Sequence, residues 1–217
     1  MLLTDAEIDH TAGLLLLRES QAPVRVFGAE GVERALRRGY PVLEILERYC
    51  GAEWQTLEPG RARPLEGSSL EVEPFEVGGD APRYLSGSDV ELQASAFVFR
   101  DRARPGVVTY APGLARLDDG VLARFAASDL VLVDGTFWRD DELARLGISS
   151  RTARDMGHLP LSGPGGTLEA LARLRRPRKV LVHINNTNPI LLDDSPEREA
   201  VHRVGVEVAY DGLEIAL

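Results

Sequence analysis

The sequence predicts an α/β fold that is α+β in part. Near both ends of the chain, short apolar runs alternate with helical segments, which is typical of layered α/β proteins. Between residues 54 and 110, strand-like segments follow one another across Gly- and Pro-rich turns, which favours antiparallel pairing. No internal repeat, low-complexity segment or linker interrupts the chain. We therefore expect a single domain over residues 1–217.

Hydrophobic periodicity and turn residues place the predicted elements along the chain. The first part predicts an apolar strand before an acidic loop, a helix over 11–18, a strand over 24–28, and helices over 30–38 and 42–48. The middle predicts strands over 54–57, 70–77, 92–100 and 106–110. The last part predicts helices over 118–127, 139–146, 167–174 and 196–203, a long polar loop over 147–166, buried strands over 130–133 and 179–182, and a closing hairpin over 206–217.

The charge balance and the cysteine content narrow the class of protein. The formal net charge of −9 and the pI near 5.0 argue against a nucleic-acid partner, which requires a basic surface. Cys50 is the only cysteine, so neither an internal disulfide nor a thiolate metal cluster can form. The apolar runs are too short for a bilayer, and Met1-Leu2-Leu3 lacks the basic flank of a signal peptide. We expect a cytoplasmic protein without a membrane partner, and a homodimer is compatible with the sequence.

The stretch from Thr4 to His10 concentrates potential metal ligands and proton carriers. These residues are Asp5, Glu7, Asp9 and His10. If the segment is extended, its three carboxylates project to one face, because side chains alternate along a strand. Carboxylates so close together repel one another unless a cation or bound protons lie among them. The alternative interpretation is a solvated acidic turn.

Two later apolar strands also end in groups that can bind metal. Asp134 follows one of them and His183 follows the other. In layered α/β proteins, ligands gather at the carboxyl ends of strands. With Asp9 and His10, these residues form a mixed imidazole–carboxylate set that suits iron, zinc or manganese better than calcium or magnesium. The structural alternatives are a turn-forming Asp134 and a core-packed His183.

Two polar segments supply further candidate residues. His158 lies in the loop GHLPLSG, where it is either an ordinary exposed histidine or a proton donor delivered over the metal. Asn185 and Asn186 follow His183 and offer amide hydrogen bonds to a polar substrate or cofactor, or cap a turn. His202 lies in a charged helix and is expected to be a surface residue.

Four segments of the chain together resemble a known family. TDAEIDHTAGLLLLRE, SDLVLVDGTFW, ARDMGHLPLSG and KVLVHINNTNPIL resemble the pyrroloquinoline quinone (PQQ) biosynthesis protein B family, which is part of the metallo-β-lactamase superfamily. The resemblance covers essentially the whole chain and implies an αββα sandwich. Family members begin with a long segment that carries the first strands and a cysteine-rich structural metal site. This chain begins at the motif strand, so we expect an N-terminally incomplete sandwich.

The resemblance also assigns metal ligands. In the superfamily signature His-x-His-x-Asp-His, Asp5 and Glu7 stand in place of the two leading histidines, while Asp9 and His10 match the last two positions. By the same comparison, Asp134 matches the bridging aspartate and His183 the last histidine. The superfamily's middle histidine has no counterpart near residues 78–81, where Asp80 is a weak substitute, so the resemblance implies one metal rather than two.

The activity that the resemblance implies is hydroxylation of the tyrosine of the PQQ precursor peptide by an iron-dependent oxygenase. Asp9, His10 and His183 would hold iron(II), and Asp134 would bind the metal or orient another ligand. His158 resembles the helper histidine of the superfamily's tRNA-processing nucleases and would move protons. The partners would be molecular oxygen and the precursor peptide or a small-molecule PQQ intermediate. The alternative is a non-catalytic protein that carries PQQ or its precursor toward the periplasm. The acidic charge and the missing histidines disfavour a hydrolase or nuclease.

Overall fold

The computed structural model describes residues 1–217, which group into two compact units. The first unit contains residues 1–61, 74–76 and 80–95, and the second contains residues 62–73, 77–79 and 96–217. The first unit holds a two-stranded parallel sheet, and the second holds most of a seven-stranded sheet. The single domain that the sequence predicts over residues 1–217 stays a prediction.

The first unit is a short sheet packed with helices. Its elements are α1 (Ile8–Thr11), a 3₁₀ helix (Ala12–Leu17), β1 (Val24–Gly28), α2 (Glu30–Arg34), a π-helix (Ala35–Gly39), α3 (Val42–Glu47), β2 (Ala52–Thr56) and a second 3₁₀ helix (Arg83–Leu85). The predicted strand over 24–28 is confirmed, and β1 pairs in parallel with β2. The predicted first strand is only an isolated bridge between Leu2 and Phe27.

The core of the first unit lies between β1 and its helices. Val26 on β1, Leu36 on the π-helix and Leu43 on α3 have no exposed surface and belong to one apolar cluster. On the outer side of these helices, the Arg37 guanidinium on the π-helix forms ion pairs with Glu33 on α2 at 3.0 Å and with Glu47 on α3 at 2.7 Å. The π-helix and α3 are thus joined by packing on one face and by charge on the other.

The second unit carries the strands whose ends hold the candidate site. Its elements are β3 (Arg63–Pro64), most of β4 (Leu70–Gly78), most of β5 (Ala94–Asp101), β6 (Val107–Ala111), α4 (Asp119–Ala127), β7 (Leu130–Asp134), α5 (Glu142–Arg145), a 3₁₀ helix (Arg154–Met156), α6 (Thr167–Arg173), β8 (Arg178–Val182), a 3₁₀ helix (Pro189–Leu191), α7 (Pro196–Arg203) and β9 (Glu207–Val208). The strand order is β3-β4-β5-β6-β7-β8-β9. Strands β6 to β9 are parallel neighbours, while β5 and β6 are antiparallel.

The local rules of helix capping and strand burial explain most of these boundaries. Asp118 caps α4 by accepting the Val121 amide at 2.9 Å, and Ser195 caps α7 by accepting the Arg198 amide at 3.0 Å. The apolar runs of β7 and β8 are largely buried, as a parallel sheet requires.

Two sequence predictions fail in the structure. The closing hairpin over 206–217 is wrong, because Glu207–Val208 forms a parallel edge strand on β8 and no strand follows it. The prediction that the acidic segment is extended is also wrong at the end of that segment. Glu7 is extended, but α1 begins at Ile8, so the alternation of a strand does not reach Asp9.

No helix of the chain combines the length and the apolar character that crossing a bilayer would need.

We expect Gly31→Ala to destabilise the protein although alanine favours helices. A Cβ on Gly31 would lie 2.5 Å from the backbone oxygen of Glu91, which cannot move without shifting its segment. Overpacking of this kind costs about 1–3 kcal/mol. Chemical denaturation measures the loss in free energy of unfolding. Gly13→Ala is the matched control, because nothing lies within 4 Å of its Cβ position. Equal stability of the two variants would contradict the packing described.

Candidate metal centre

The site in the second unit begins where two parallel strands end side by side. Asp134 closes β7 and lies opposite Val182 on β8, so His183 follows at the same edge of the sheet. The Gly135 amide donates to the Val182 carbonyl at 2.8 Å. A Cβ on Gly135 would lie 2.9 Å from the Leu181 Cβ, so this close crossing of the two strand ends requires glycine.

The Asp134 carboxylate is the buried anion of the site, with a side chain that is 1% exposed. Its Oδ1 accepts the Thr136 amide at 2.9 Å and the Thr136 hydroxyl at 2.6 Å. Its Oδ2 accepts the Leu114 amide at 2.9 Å and lies 2.7 Å from His158 Nδ1. A carboxylate offers about four lone-pair positions, and all four are engaged by these donors. In this structure Asp134 therefore orients its neighbours.

Two imidazoles stand beside this carboxylate. His158 and His183 stack with ring centroids 5.2 Å apart and planes 23° apart. Together with Asp134 they offer three ligand atoms that all lie within 4.8 Å of one another, which is compatible with a shared metal ion. Because the Asp134 carboxylate accepts at Nδ1 of His158, the lone pair of that ring lies on Nε2.

The backbone at His183 is unusual. His183 is the one residue other than glycine with a positive φ, which is 54°. Left-handed conformations are disfavoured for side chains with a Cβ and are found at functional sites more often than elsewhere. The Thr136 hydroxyl lies 2.7 Å from His183 Nδ1 and 2.8 Å from the His183 carbonyl oxygen. The turn at His183 therefore brings its ring and its own carbonyl to one hydroxyl.

The polar segment after His183 fixes the loop rather than presenting all its amides. Asn185 donates from Nδ2 to the Thr187 hydroxyl at 2.7 Å, and that hydroxyl donates to Glu142 Oε1 at 2.6 Å. The buried Asn188 donates from Nδ2 to the Gly135 carbonyl at 2.8 Å. Asn186 is exposed. The loops after β7 and β8 are thus bonded to each other.

Residues of the acidic segment contact one another within the first unit. His10 Nδ1 lies 2.7 Å from Asp5 Oδ1, and His10 Nε2 lies 3.8 Å from Asp9 Oδ2. Glu7 precedes α1 and is exposed, and its carbonyl accepts the Thr11 hydroxyl at 2.7 Å. A carboxylate that holds Nδ1 places the lone pair of His10 on Nε2, as for His158.

The Asp5–His10 pair shifts the pKa of both groups. The hydrogen bond to Asp5 outweighs burial and, with the charges of Asp5, Asp9 and Glu7, raises the pKa of His10 above its ordinary value. Burial alone raises the pKa of Asp5, but the bond and charge of His10 and the Glu7 amide lower that pKa below its ordinary value. Tyr84 donates to the Ala6 carbonyl at 2.7 Å, and its burial raises its pKa to about 12.

The structure thus brings the sequence-predicted residues together in two groups. Asp134, His158 and His183 meet in the second unit, and Asp5, Asp9 and His10 meet in the first. The prediction that Asp9, His10, Asp134 and His183 share one ion stays a prediction. Sequence reasoning missed Thr136 and Glu142. The position of Thr136 in Asp-Gly-Thr directly after a buried strand was the available signal, whereas nothing local marked Glu142.

Comparison with known proteins gives the class of this fold. Residues 1–184 match the Beta-lactamase superfamily domain. The chain is similar to Zn(2+)-bound PqqB from Methylobacterium extorquens, with a TM-score of 0.87, 32% identity, and coverage of all of this chain and 72% of that one. It also superposes on unliganded yeast PDE1 with a TM-score of 0.67 at 15% identity, over 97% of this chain and 66% of the other. The fold is the metallo-β-lactamase fold.

Closer relatives give the family within that class. The chain is 47% identical over 223 residues to coenzyme PQQ synthesis protein B of Cupriavidus necator and covers 72% of it. It is 45% identical over 227 residues to the protein of the same name from Methylococcus capsulatus and covers 73% of it. Both alignments cover the whole of this chain. The chain belongs to the coenzyme PQQ synthesis protein B family.

We expect Asp5→Asn to lower the pKa of His10 toward its ordinary value of about 6.5. NMR titration of the metal-stripped protein measures the change. The raised pKa of His10 gives stability that is complete below about pH 6.5 and is lost as pH rises through that raised value. The lowered pKa of Asp5 gives stability that is present above about pH 3.9 and is lost as pH falls through its own lowered value.

The stability difference between the parent protein and Asp5→Asn is therefore expected to be largest between about pH 4 and pH 6.5. Asp9→Asn is the control, because the Asp9 side chain is 82% exposed and lies 3.8 Å from the ring. It should lower the pKa of His10 much less. A difference in stability that does not vary with pH would contradict the charge pairing.

Proposed function

We propose that this chain acts in PQQ synthesis as a metal-dependent oxygenase that hydroxylates the tyrosine of the PQQ precursor peptide. Membership of the coenzyme PQQ synthesis protein B family supports the pathway. The observation that carries the chemistry is the group of Asp134, His158 and His183, whose ligand atoms lie within 4.8 Å of one another. The proposed partners are molecular oxygen and the precursor peptide or a small-molecule intermediate on the way to PQQ.

The proposed ligands fit a single divalent metal, and they are His183 of the group in the second unit with His10 and Asp9 of the acidic segment. Imidazole nitrogens and carboxylates suit iron, zinc and manganese, and two histidines with one carboxylate are the ligands of many non-haem iron oxygenases. The zinc-bound relative from Methylobacterium extorquens supports a divalent metal in this family. We propose iron(II), which when bound would supply the activation of dioxygen. Placing one oxygen atom of O2 on the tyrosine ring releases the other as water and consumes two electrons and two protons, so the proposed reaction also requires a two-electron reductant. Zinc and manganese compete for the same ligands.

The residues around the metal have distinct proposed roles. His183 binds the metal. Asp134 holds His158 at Nδ1, so that His158 can take up or release a proton at Nε2 while the carboxylate stabilises its charged form. This is the orientation role that a buried aspartate plays beside a catalytic histidine in other enzymes. Asn186 is exposed and can contact the substrate, whereas the Asn185 amide is bonded to Thr187.

Residues of the acidic segment also have proposed roles at the metal. His10 and Asp9 are proposed as further metal ligands, Asp5 as the residue that orients His10, and Glu7 as a proton carrier. The 2.7 Å contact between His10 and Asp5 supports the orienting role, since histidine ligands commonly donate their second nitrogen to a carboxylate.

We expect the chain to bind about one iron(II) per molecule when it is reconstituted without oxygen. His183→Gln should lose most of this iron and all hydroxylation, because the glutamine amide replaces an imidazole ligand. Metal analysis gives the iron content. Mass spectrometry of the precursor peptide after addition of oxygen and a two-electron reductant detects the gain of one oxygen atom on tyrosine. His202→Gln on α7 is the matched control and should keep both properties.

Three outcomes would contradict the proposal in different ways. Binding of PQQ without iron and without hydroxylation would support the carrier alternative. Iron binding that survives His183→Gln would remove the proposed ligand. Retention of iron by His10→Gln would remove the acidic segment from the metal site while leaving the group in the second unit intact.

We expect His158→Gln to separate proton transfer from metal binding. Glutamine cannot change protonation at neutral pH, so turnover should fall about 10²- to 10⁴-fold, which is the usual contribution of a general acid or base. Iron content should remain near that of the parent protein. Loss of iron comparable to that of His183→Gln would instead make His158 a metal ligand.

A further inference from the structure

Thr136 lies at the centre of the group although the sequence gives it no role. Its side-chain oxygen Oγ1 lies 2.6 Å from Asp134 Oδ1, 2.7 Å from His183 Nδ1 and 2.8 Å from the His183 carbonyl oxygen. A longer contact of 3.2 Å joins it to His158 Nδ1. Thr136 is 6% exposed, so water does not compete freely for these bonds. One hydroxyl therefore touches all three residues that could hold a metal.

The number of protons on that hydroxyl decides the direction of the bonds. A threonine hydroxyl donates one hydrogen bond and accepts up to two. Asp134 Oδ1 and the His183 carbonyl oxygen can only accept, and the carboxylate is the nearer and the charged partner. Charge-assisted hydrogen bonds are the stronger ones, so the hydroxyl proton goes to Asp134. The His183 carbonyl oxygen, at 2.8 Å, shares that proton as the weaker acceptor of a bifurcated bond, so no hydroxyl proton remains for a third partner.

His183 must then donate to Thr136. The single hydroxyl proton is used by Asp134, so the 2.7 Å contact at His183 Nδ1 is a bond in which the ring N–H donates and Oγ1 accepts. A neutral histidine that is protonated on Nδ1 has its lone pair on Nε2, which is the nitrogen that can bind a metal. We infer that Thr136 selects the Nδ1-protonated form of His183 and thereby prepares Nε2 as a metal ligand.

Thr136 links the Asp134 carboxylate to the ring of His183 through one hydroxyl. Asp134 fixes the same ring form in His158 directly, because its Oδ2 accepts from His158 Nδ1 at 2.7 Å. The hydroxyl extends the influence of one buried carboxylate to a second imidazole, in the way that second partners of histidine ligands fix the ring form in metal sites. Thr136 is a positioning residue and not a ligand. The part of this inference that concerns the metal rests on the proposed function, whereas the part that concerns the ring form does not.

The backbone around Thr136 is fixed as well. Its carbonyl accepts the Asn185 amide at 3.1 Å, and the buried Asn188 donates from Nδ2 to the neighbouring Gly135 carbonyl at 2.8 Å. These bonds tie the loop after β7 to the loop that carries His183. The hydroxyl is therefore held at a fixed place relative to the ring that it selects.

The ring form of His183 can be measured in the metal-stripped protein. Long-range ¹H–¹⁵N NMR distinguishes the two neutral forms of histidine, and the chain has only four histidines, so single His→Gln variants assign each signal. At a pH where the rings are neutral, the parent protein should show His183 protonated on Nδ1. Thr136→Val, which keeps the shape and removes the hydroxyl, should shift His183 to a mixture of forms or to Nε2 protonation.

Two variants control for structural damage. Thr136→Ser keeps the hydroxyl and should preserve the ring form. Thr109→Val removes a different buried hydroxyl, that of Thr109 on β6, which bonds the Ser128 hydroxyl at 2.7 Å. This variant should leave the ring form of His183 unchanged. Titration with cobalt(II) or zinc(II) then gives metal affinity. We expect Thr136→Val to weaken it about 10- to 100-fold, as is usual for partners of histidine ligands, and Thr136→Ser to restore most of it.

Each outcome supports or overturns the inference. Nε2 protonation of His183 in the parent protein overturns it, even if Thr136→Val fails to fold. An unchanged ring form in folded Thr136→Val overturns it as well. The ring form is read without substrate, oxygen or metal. A parent protein that shows the expected ring form and binds metal, but does not hydroxylate the peptide, would refute the proposed function and leave the role of Thr136 standing.

Discussion

The candidate site depends on a buried negative charge at the carboxyl end of β7. An unpaired carboxylate in the interior costs several kcal/mol, and that cost is offset only when donors surround it. Asp134 takes one donor residue, Thr136, from its own loop and two from segments that are distant in sequence, the Leu114 amide after β6 and His158 in the loop before α6. Because the charge must be satisfied, these segments are fixed relative to one another. The geometry of the site is thus a consequence of solvating one carboxylate with protein groups.

The fold around this charge could be predicted where local physics decides it. The buried strands β7 and β8 are visible as continuous apolar runs, and Ser195-Pro196 marks the start of α7, because these features depend on neighbouring residues only. The closing hairpin failed for the opposite reason. Alternation near Val206 indicates a strand, but it does not tell which strand is the partner, and the structure pairs Glu207–Val208 in parallel with β8. Partner choice in a sheet is decided by tertiary packing.

The site could be predicted in part for the same reason. Placing Asp134 and His183 at strand ends made their meeting foreseeable, since parallel strands end at one edge of the sheet. The roles of polar residues were not foreseeable from residue type. In the segment after His183, the buried Asn188 side chain bonds the Gly135 carbonyl and the Asn185 side chain bonds Thr187, whereas Asn186 is exposed. Hydrogen-bond partners depend on distances of a few tenths of an ångström, which composition and spacing do not specify.

Three histidines share one arrangement, in which an oxygen atom of a neighbouring side chain lies at hydrogen-bonding distance from ring Nδ1. His10 is held by Asp5, His158 by Asp134 and His183 by Thr136. In the superfamily signature that the sequence resembles, a histidine stands at the position of Asp5, whereas here the Asp5 carboxylate lies 2.7 Å from His10 Nδ1. A metal with fewer protein ligands retains more open coordination positions. Hydrolysis requires one such position for water, whereas an oxygenase requires room for both oxygen and substrate. The smaller number of histidines therefore suits the proposed reaction.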